Sequence, residues 1–304
     1  MKKQDKRYME QETLTKVYPE GTPPTELLTL VAALNENCTT LAGRMHLGSD
    51  AIVINQCNED AESEYQYNQY SIRCYHVNER GVGRSRNLAM AHADRDYILF
   101  SDEDIVYEDG YANIITHAFK MHSRADLLLF NVKQSPGRET YHITDYGRVH
   151  WYNYGRYPAY AIAARMKRLR DAGVQFSLLF GGGAPYMNGE DSLFLHDCLE
   201  KGLRLYHVPE LIGKEVERES TWFKGYTEKF FFDRGVLYHY LYGPMAYPFG
   251  LRFLMKGRKD MCREIPFARC AALLKEGIEH AGVSSADVGH PYDSGPDTRQ
   301  PETV

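Results

Sequence analysis

The sequence predicts an α/β fold with a central, mostly parallel sheet flanked by helices. Residues 27–34 (LLTLVAAL) form a continuous apolar run that suits a buried strand. Residues 39–47 have helical spacing, and residues 51–54 (AIVI) suit a second, β-branched strand. Strand, helix and strand in this order indicate a parallel βαβ unit. A further apolar run at 97–100 (YILF) suits a strand buried on both faces of the sheet.

Three acidic residues, Asp102, Glu103 and Asp104, follow this last run almost directly. Ligands bind at the carboxyl ends of strands in open α/β sheets, so carboxylates collected there suit a binding role. On extended backbone Asp102 and Asp104 would project from the same side and could share Mg²⁺ or Mn²⁺. The plainer alternative is a solvated acidic turn after a strand.

The composition is that of an ordinary globular protein, with 304 residues, 43% hydrophobic and 25% charged. A formal net charge of -5 argues against general nucleic-acid binding through bulk charge. Six cysteines without a Cys-x-x-Cys pair, and a start without an apolar signal core, indicate reduced thiols in the cytoplasm. No stretch approaches the ~20 apolar residues of a membrane-spanning helix.

The glycine-rich segment at 81–83 opens an alanine-rich helix. Such an entry presents backbone N–H groups, and Arg84 and Arg86 add cationic donors, which suits a diphosphate or a nucleotide. Alternatively, the glycines only shape a turn and the arginines lie on a solvated face. Before this segment, residues 59–69 are polar and irregular, and residues 72–77 suit a third short strand.

After the acidic residues, the pattern predicts a helix at 107–122 and a buried strand at 127–132. Residues 134–160 suit loops or an antiparallel excursion. Residues 161–172 (AIAARMKRLRDA) suit a basic amphipathic helix.

A second glycine run, at 181–183, allows backbone to approach a ligand or another segment closely. It leads to a predicted helix whose first turn holds Glu190 and Asp191. A structural role is the alternative for these acids, because carboxylates in a first turn stabilise a helix by ~0.3–1 kcal/mol. Residues 203–208 then alternate like a half-exposed strand, which Pro209 should end.

The two ends of the chain differ from its middle. Residues 1–24 are expected to be a flexible lead-in, and residues 282–304 a disordered tail. Residues 226–281 suit a helical region rich in aromatic and basic residues. This composition across 222–261 suits peripheral contact with a membrane surface, whereas the alternative is a small helical subdomain that packs its aromatics on the main core.

Three motifs follow one another in the chain: GRSRN at 83–87, LFSDED at 99–104 and GEDSLF at 189–194. Together they resemble the family 2 glycosyltransferases, and the resemblance covers about residues 25–225. It implies the GT-A fold, a nucleotide-sugar-binding α/β domain, followed here by the helical extension. It also implies an inverting enzyme that takes a sugar from a nucleoside diphosphate donor, for which we expect a UDP-sugar.

The resemblance also implies roles for individual residues. Asp102 would contact the nucleotide ribose or the metal, and Asp104 would bind Mn²⁺ or Mg²⁺. Asp191, with Glu190 as its neighbour, would deprotonate the acceptor hydroxyl. The residues placed around the nucleotide-sugar are Asn35, Glu36, Gln56, Arg84, Arg86, Gly182 and Gly183. A cation offsets the charge of the leaving diphosphate, and a single base gives direct displacement with inversion.

Two departures from the family pattern limit this assignment. Many members end the second strand with an acid that reads the base, whereas this chain has Asn55 and Gln56 there. Many also carry a metal-binding histidine after the last strand, where this chain has acids that include Glu215. We assign no third metal ligand, and we interpret His207, on the strand itself, as a packed residue.

The predicted function is transfer of the sugar to a hydroxyl of a glycan, or of a lipid-linked glycan at the inner membrane face. A nucleotidyltransferase is one alternative, although its glycine-rich signature usually follows the first strand, where residues 35–37 (NEN) stand here. A glycan-binding protein with a silent site is another. Tyrosine and tryptophan would serve it as sugar platforms, but it gives no reason for Asp102, Asp104 and Asp191 to coincide.

Overall fold

The computed structural model describes residues 26–137, 139–216 and 225–287, so the predicted lead-in and residues 288–304 of the predicted tail lie outside it. The chain divides into two compact units. The first comprises the described residues up to Glu79, then Ser85–Val174 and 197–216. The second comprises Arg80–Arg84, Gln175–His196 and the described residues from 225 onwards.

The first unit contains a ten-stranded sheet. Its strands are β1 (Leu27–Leu34), β2 (Asp50–Gln56), β3 (Ala61–Tyr67), β4 (Tyr70–Val77), β5 (Tyr97–Asp102), β6 (Ile105–Tyr107), β7 (Leu127–Lys133), β8 (Gly147–Arg148), β9 (Ile162–Arg165) and β10 (Leu205–Glu215). The strand order is β3-β4-β2-β1-β5-β9-β7-β10-β6, with β8 paired to β10. The centre, β4-β2-β1-β5, is parallel, which confirms the α/β fold that the sequence predicts.

The helices of both units follow the predicted order. They are α1 (Cys38–Arg44), α2 (Val82–His92), α3 (Tyr111–Met121), α4 (Met166–Ala172), α5 (Glu190–Glu200), α6 (Glu228–Tyr242), α7 (Ala246–Met261) and α8 (Phe267–Asp287). The last of these helices continues to Asp287, past residue 282, where the sequence placed the start of the tail.

The register of the central strands positions the candidate site. Leu34 of β1 lies opposite Gln56 of β2, and Ala32 of β1 lies opposite Asp102 of β5. Except for Leu34, which is exposed, the apolar residues of these strands are buried, as predicted, and fix the register through packing. The carboxyl ends of three parallel strands, with their polar residues, therefore reach the same edge of the sheet.

The structure corrects the sequence prediction at two strands. Residues 61–67, predicted to be irregular, form edge strand β3, which is exposed along most of its length and so lacks an apolar pattern. The start of the predicted helix at 161–172 is strand β9, because Ala163 and Ala164 are small enough to be buried between β5 and β7.

The last strand also departs from the prediction. Strand β10 continues past Pro209, because the register shifts between His207 and Leu211 and removes the need for an N–H donor there. The Pro209 carbonyl instead accepts from the side chain of Asn131 at 2.9 Å.

The expectation that the thiols are reduced is wrong for one pair. Cys38, which begins α1, is bonded to Cys74 of β4, with Cα atoms 6.6 Å apart. This Cα distance suits a disulfide. The pairing could not be predicted from the sequence, because the two cysteines meet only when the helix packs on the sheet. The free cysteines of the described chain are Cys57, Cys198, Cys262 and Cys270.

The second unit holds the three C-terminal helices, of which α6 and α8 cross closely. A Cβ on Gly235 of α6 would lie 2.1 Å from the Leu274 carbonyl oxygen, and one on Gly277 of α8 would lie 2.1 Å from that of Phe232. The aromatics Phe230 and Phe231 of α6 are buried. Among the described helices, none has the length and apolar content needed to cross a bilayer.

Candidate functional site

The carboxyl end of β5 holds an ion pair that the sequence could suggest only as two separate motifs. Arg86 of α2 is buried, with 3% of its surface exposed, and its Nη2 donates to Asp102 Oδ1 at 2.9 Å. The Asp102 side chain remains 29% exposed. Arg86 therefore does not lie on a solvated helix face, and its guanidinium holds a strand-end carboxylate in place.

The backbone turns immediately after Asp102. Strand β5 ends at this residue, residues 103–104 form a turn, and β6 follows. Alternate projection on extended backbone therefore does not apply to Asp104, and that step of the prediction is wrong. Two hydrogen bonds fix the turn: Val216 N donates to the Asp104 carbonyl at 2.8 Å, and Tyr107 Oη donates to Ser101 Oγ at 2.7 Å.

Two further residues face the same region: Tyr160, which the sequence analysis missed, and Glu215, which it named without assigning it to the metal. Burial raises the pKa of the Tyr160 hydroxyl, and the carboxylates of Glu215 and Asp102 raise it further. Gln134 Nε2 donates to that hydroxyl at 3.1 Å, and Ser135 N donates to Glu215 Oε2 at 3.0 Å. Two carboxylates from distant parts of the chain thus act on one buried hydroxyl. Tyr160 lay in a segment without periodicity, so nothing in the sequence singled it out.

The acids at this edge suit a hard divalent cation. Asp102, Asp104 and Glu215 offer carboxylate oxygens, the ligand type that Mg²⁺ and Mn²⁺ prefer. Within the described ranges, no close cluster of three metal-ligating side chains includes any of them. Mg²⁺ commonly takes one or two carboxylates and completes its shell with substrate phosphates and water, so the donor set fits such an ion.

The residues at the ends of β1 and β2 are joined by hydrogen bonds. Asn55 accepts from the Glu36 N–H at 2.9 Å and donates to the Glu36 carbonyl at 2.7 Å. Asn35 N donates to the Gln56 carbonyl at 3.0 Å, and the Glu36 carboxylate pairs with Arg44. The Asn55 amide therefore holds the loop backbone, and Gln56 beside it is buried.

The predicted glycine segments meet within the second unit. Val82 N, at the start of α2, donates to the Gly182 carbonyl at 2.8 Å. Gly183 has a φ of +79°, and a Cβ there would lie 2.8 Å from Gly81 N. The close approach of two backbones thus explains these glycines, and Arg84, in the same unit, is exposed.

The structure separates Glu190 from Asp191 at the start of α5. Glu190 Oε2 accepts from Gly189 N at 3.1 Å, and a Cβ on Gly181 would lie 2.7 Å from Glu190 Cδ. Glu190 is therefore tied to the helix start and to the glycine run, and both acids are half-buried.

Buried Asp233, which the sequence analysis missed, supports the segment before this helix. It accepts from Met187 N at 2.9 Å and pairs with Lys229 at 2.7 Å. Its only sequence signal is the four-residue spacing from Lys229 along α6.

The predicted site residues thus fall into two groups. The first unit brings together, along one sheet edge, Asn35, Glu36, Gln56, Arg86, Asp102 and Asp104. The second unit contains Arg84, Gly182, Gly183, Glu190 and Asp191. His207 is packed in the first unit, where its Nδ1 lies 2.9 Å from the Asp145 carbonyl oxygen.

Known structures share this fold. A fragment of TarS from S. aureus, residues 1–349 in complex with UDP-GlcNAc, is 15% identical over 78% of this chain and 74% of that one, with a TM-score of 0.55. The same fragment in complex with UDP gives a TM-score of 0.53 at 15% identity, over 78% of this chain and 73% of that one. These likenesses show the fold, which is GT-A.

Two other comparisons give no further information on ligands or substrates. The mannosyltransferase PcManGT from Pyrobaculum calidifontis, in complex with GDP-Man and Mn²⁺, is 11% identical over 93% of this chain and 83% of that one, with a TM-score of 0.46, too slight a likeness to bear on ligands. No curated protein matches the chain in sequence.

The sequence itself decides the family. Residues 24–172 match the model of Glycosyl transferase family 2, a range that includes β1, β2, β5 and the Arg86–Asp102 pair. Residues 24–172 thus form a glycosyl transferase family 2 region, and the chain that contains it is a glycosyltransferase.

Proposed function

We propose that the chain transfers a sugar, with inversion and with the aid of a divalent metal, from a UDP-sugar to a hydroxyl of a glycan. The observation that carries the proposal is the buried Arg86–Asp102 pair at the carboxyl end of β5, within the family 2 region. The UDP and UDP-GlcNAc held by the TarS fragment support uridine as the nucleoside.

The residues of the first unit would hold the donor. Asp102 and Asp104 would bind Mn²⁺ or Mg²⁺, which when bound supplies a Lewis acid for the leaving diphosphate. Arg86 would keep Asp102 in place, and Gln56 would pair with the base through its amide. Glu215 is a further candidate for this cation.

Asp191, in the first turn of α5, would be the base. Asp191 would accept the proton of the acceptor hydroxyl as that oxygen attacks the anomeric carbon and the nucleoside diphosphate leaves. Glu190, whose carboxylate accepts from Gly189 N, would stabilise the backbone conformation at the start of α5. Because a single displacement has no covalent intermediate, the product is inverted.

A screen of nucleotide-sugars by thermal unfolding tests the donor and the reaction class together. With Mn²⁺, a UDP-sugar at a hundred times its Kd is expected to add about 2.7 kcal/mol to the free energy of unfolding, because it binds the native state alone. EDTA is expected to remove this gain, and a glycan acceptor is expected to elicit release of UDP.

Three results would contradict this proposal. Stabilisation by GDP-sugars alone would make the proposed donor wrong. Release of pyrophosphate would indicate a nucleotidyltransferase, and the absence of stabilisation by every donor would indicate a silent glycan-binding protein.

We further propose that the acceptor is lipid-linked and that α7 lies on an anionic membrane surface, the cytoplasmic face of the inner membrane. Tyr247, Leu251 and Met255 recur every four residues along α7 and are 45%, 49% and 65% exposed. They therefore form one apolar stripe on the exposed side of the helix.

Charge on the same helix favours anionic lipid as the partner. Exposed Arg252, Lys256 and Lys259 lie beside the apolar stripe, and the single acid of α7, Asp260, pairs with Arg263 at 2.8 Å. A basic helix on a chain with a net charge of -5 concentrates positive charge where the apolar side chains are.

Flotation with vesicles tests this contact. The full chain is expected to float with phosphatidylglycerol vesicles at low salt and not with neutral vesicles, because each basic residue near such a surface adds about 1 kcal/mol. The double variant Leu251→Asp, Met255→Asp is expected to stay at the bottom of the gradient. Met121→Asp, which changes an equally exposed methionine of α3, is the matched control.

Equal flotation of both variants, or none by the unchanged chain, would contradict membrane contact through α7. A monomer produced only by the α7 variant would indicate instead that the stripe joins two copies of the chain.

A further inference from the structure

A cluster of three metal-ligating side chains lies in the first unit, apart from the acids already described. Cys57 follows β2, Glu59 lies in the turn before β3, and His76 is on β4. Register and a backbone hydrogen bond bring them together, because Asn55 lies opposite His76 and Cys57 N donates to the Val77 carbonyl at 3.0 Å. Their ligand atoms all lie within 4.8 Å of one another.

The spacing of these atoms is close to that of a zinc tetrahedron. Cys57 Sγ lies 3.5 Å from His76 Nδ1, and Glu59 Oε1 lies 3.9 Å from the same nitrogen. Standard zinc bond lengths give edges of about 3.6 Å for sulfur to nitrogen and about 3.4 Å for nitrogen to oxygen. The Glu59 side chain is 71% exposed, so it can close the remaining difference without repacking.

The imidazole is held with Nδ1 toward the cluster. Nε2 lies 3.7 Å from the Cys74 sulfur, which is already bonded to Cys38, and an N–H there directs its hydrogen at that sulfur. The Asn55 amide nitrogen, a donor, lies 3.4 Å from Nδ1. Both contacts favour the tautomer whose lone pair is on Nδ1, and a metal bound there would replace the long Asn55 contact.

We propose that Cys57, Glu59 and His76 form a Zn²⁺ site, with water as the fourth ligand. One thiolate, one imidazole and one carboxylate suit zinc, whereas Mg²⁺ and Mn²⁺ prefer the oxygens of Asp102 and Asp104. On binding, the Cys57 thiol releases its proton to solvent and the sulfur forms the metal bond. The ion would tie the turn that follows Gln56 to β4, and the site does not depend on the proposed sugar transfer.

Cobalt substitution tests the site directly on the full chain, stripped of metal and purified without reductant so that the Cys38–Cys74 bond persists. One equivalent of Co²⁺ is expected to give a thiolate-to-cobalt charge-transfer band that Zn²⁺ abolishes. Cys57→Ser is expected to remove the band. The mild variant Glu59→Gln is expected to weaken Zn²⁺ binding by at least about tenfold in calorimetry without a change in Tm.

Two variants serve as controls and are expected to keep the band. Cys262→Ser changes a half-buried free cysteine of the second unit, and Asp104→Asn changes the other metal region. The proposal is overturned if no band forms. It is also overturned if the band survives Cys57→Ser but is lost in Cys74→Ser, which would place the metal on the opposite side of the His76 ring.

Discussion

Replacement of Asp191 with Asn is expected to lower the rate of sugar transfer by about 10²–10⁴-fold, the usual contribution of a positioned general base. An amide cannot accept the proton of the acceptor hydroxyl, so the nucleophile would have to attack in its neutral form. The donor is expected to bind with unchanged affinity, because its proposed ligands lie on other elements. Initial rates of UDP release and calorimetric titration of the donor separate these two quantities.

Glu190→Gln is the matched control, since it makes the same chemical change one residue earlier. Glu190 has a local structural role, because its carboxylate accepts from Gly189 N at 3.1 Å, and an amide oxygen can accept the same hydrogen bond. The rate of this variant is therefore expected to stay within about tenfold of the unchanged enzyme. A large loss in Glu190→Gln with a small one in Asp191→Asn would reverse the assignment.

The sequence predicted those parts of the fold that depend on apolar burial. Strands β1, β2, β5 and β7 are buried on both faces, and a continuous apolar run indicates such strands. Strands β3 and β9 were not predicted, for opposite reasons. The first is too polar to show a pattern, and the alanines of the second suit a helix as well as a strand.

The candidate site could be predicted only where its residues lie within short motifs. Asp102 and Arg86 stood in two such motifs, but their contact depends on how α2 packs beside β5. Tyr160, just before β9, carries no local signal, and the place of Glu215 at the end of β10 could not be predicted, because the pairing of these strands involves residues far apart in sequence. The hydrogen bonds of the Asn55 amide could not be predicted either, because its partner is the backbone of Glu36.

Asp102→Asn and Asp104→Asn are both expected to abolish Mn²⁺-dependent donor binding and to lower kcat/KM by at least about a hundredfold, because each removes a carboxylate from the leaving-group side. Only Asp102→Asn is also expected to destabilise the fold. It removes the carboxylate that pairs with the buried guanidinium of Arg86, at a cost near the lower end of the ~3–5 kcal/mol of a broken buried pair, since Asp102 is 29% exposed.

Glu103→Gln is the control for both variants, because it lies in the same turn. Calorimetry with Mn²⁺ and UDP measures binding, and urea unfolding measures stability. Loss of metal-dependent binding in Glu103→Gln, with its retention in Asp104→Asn, would show that the turn presents Glu103 to the cation instead.

The double variant Arg86→Met, Asp102→Asn separates the two roles of Asp102. Removing both charges of a buried pair is often neutral for stability, so the double variant is expected to unfold at a higher urea concentration than Asp102→Asn alone. Donor binding is not expected to return with stability, because the carboxylate is still missing. Recovery of both would mean that Asp102 acts only by neutralising Arg86, and the metal would then have to be held by Asp104 with other acids of this edge.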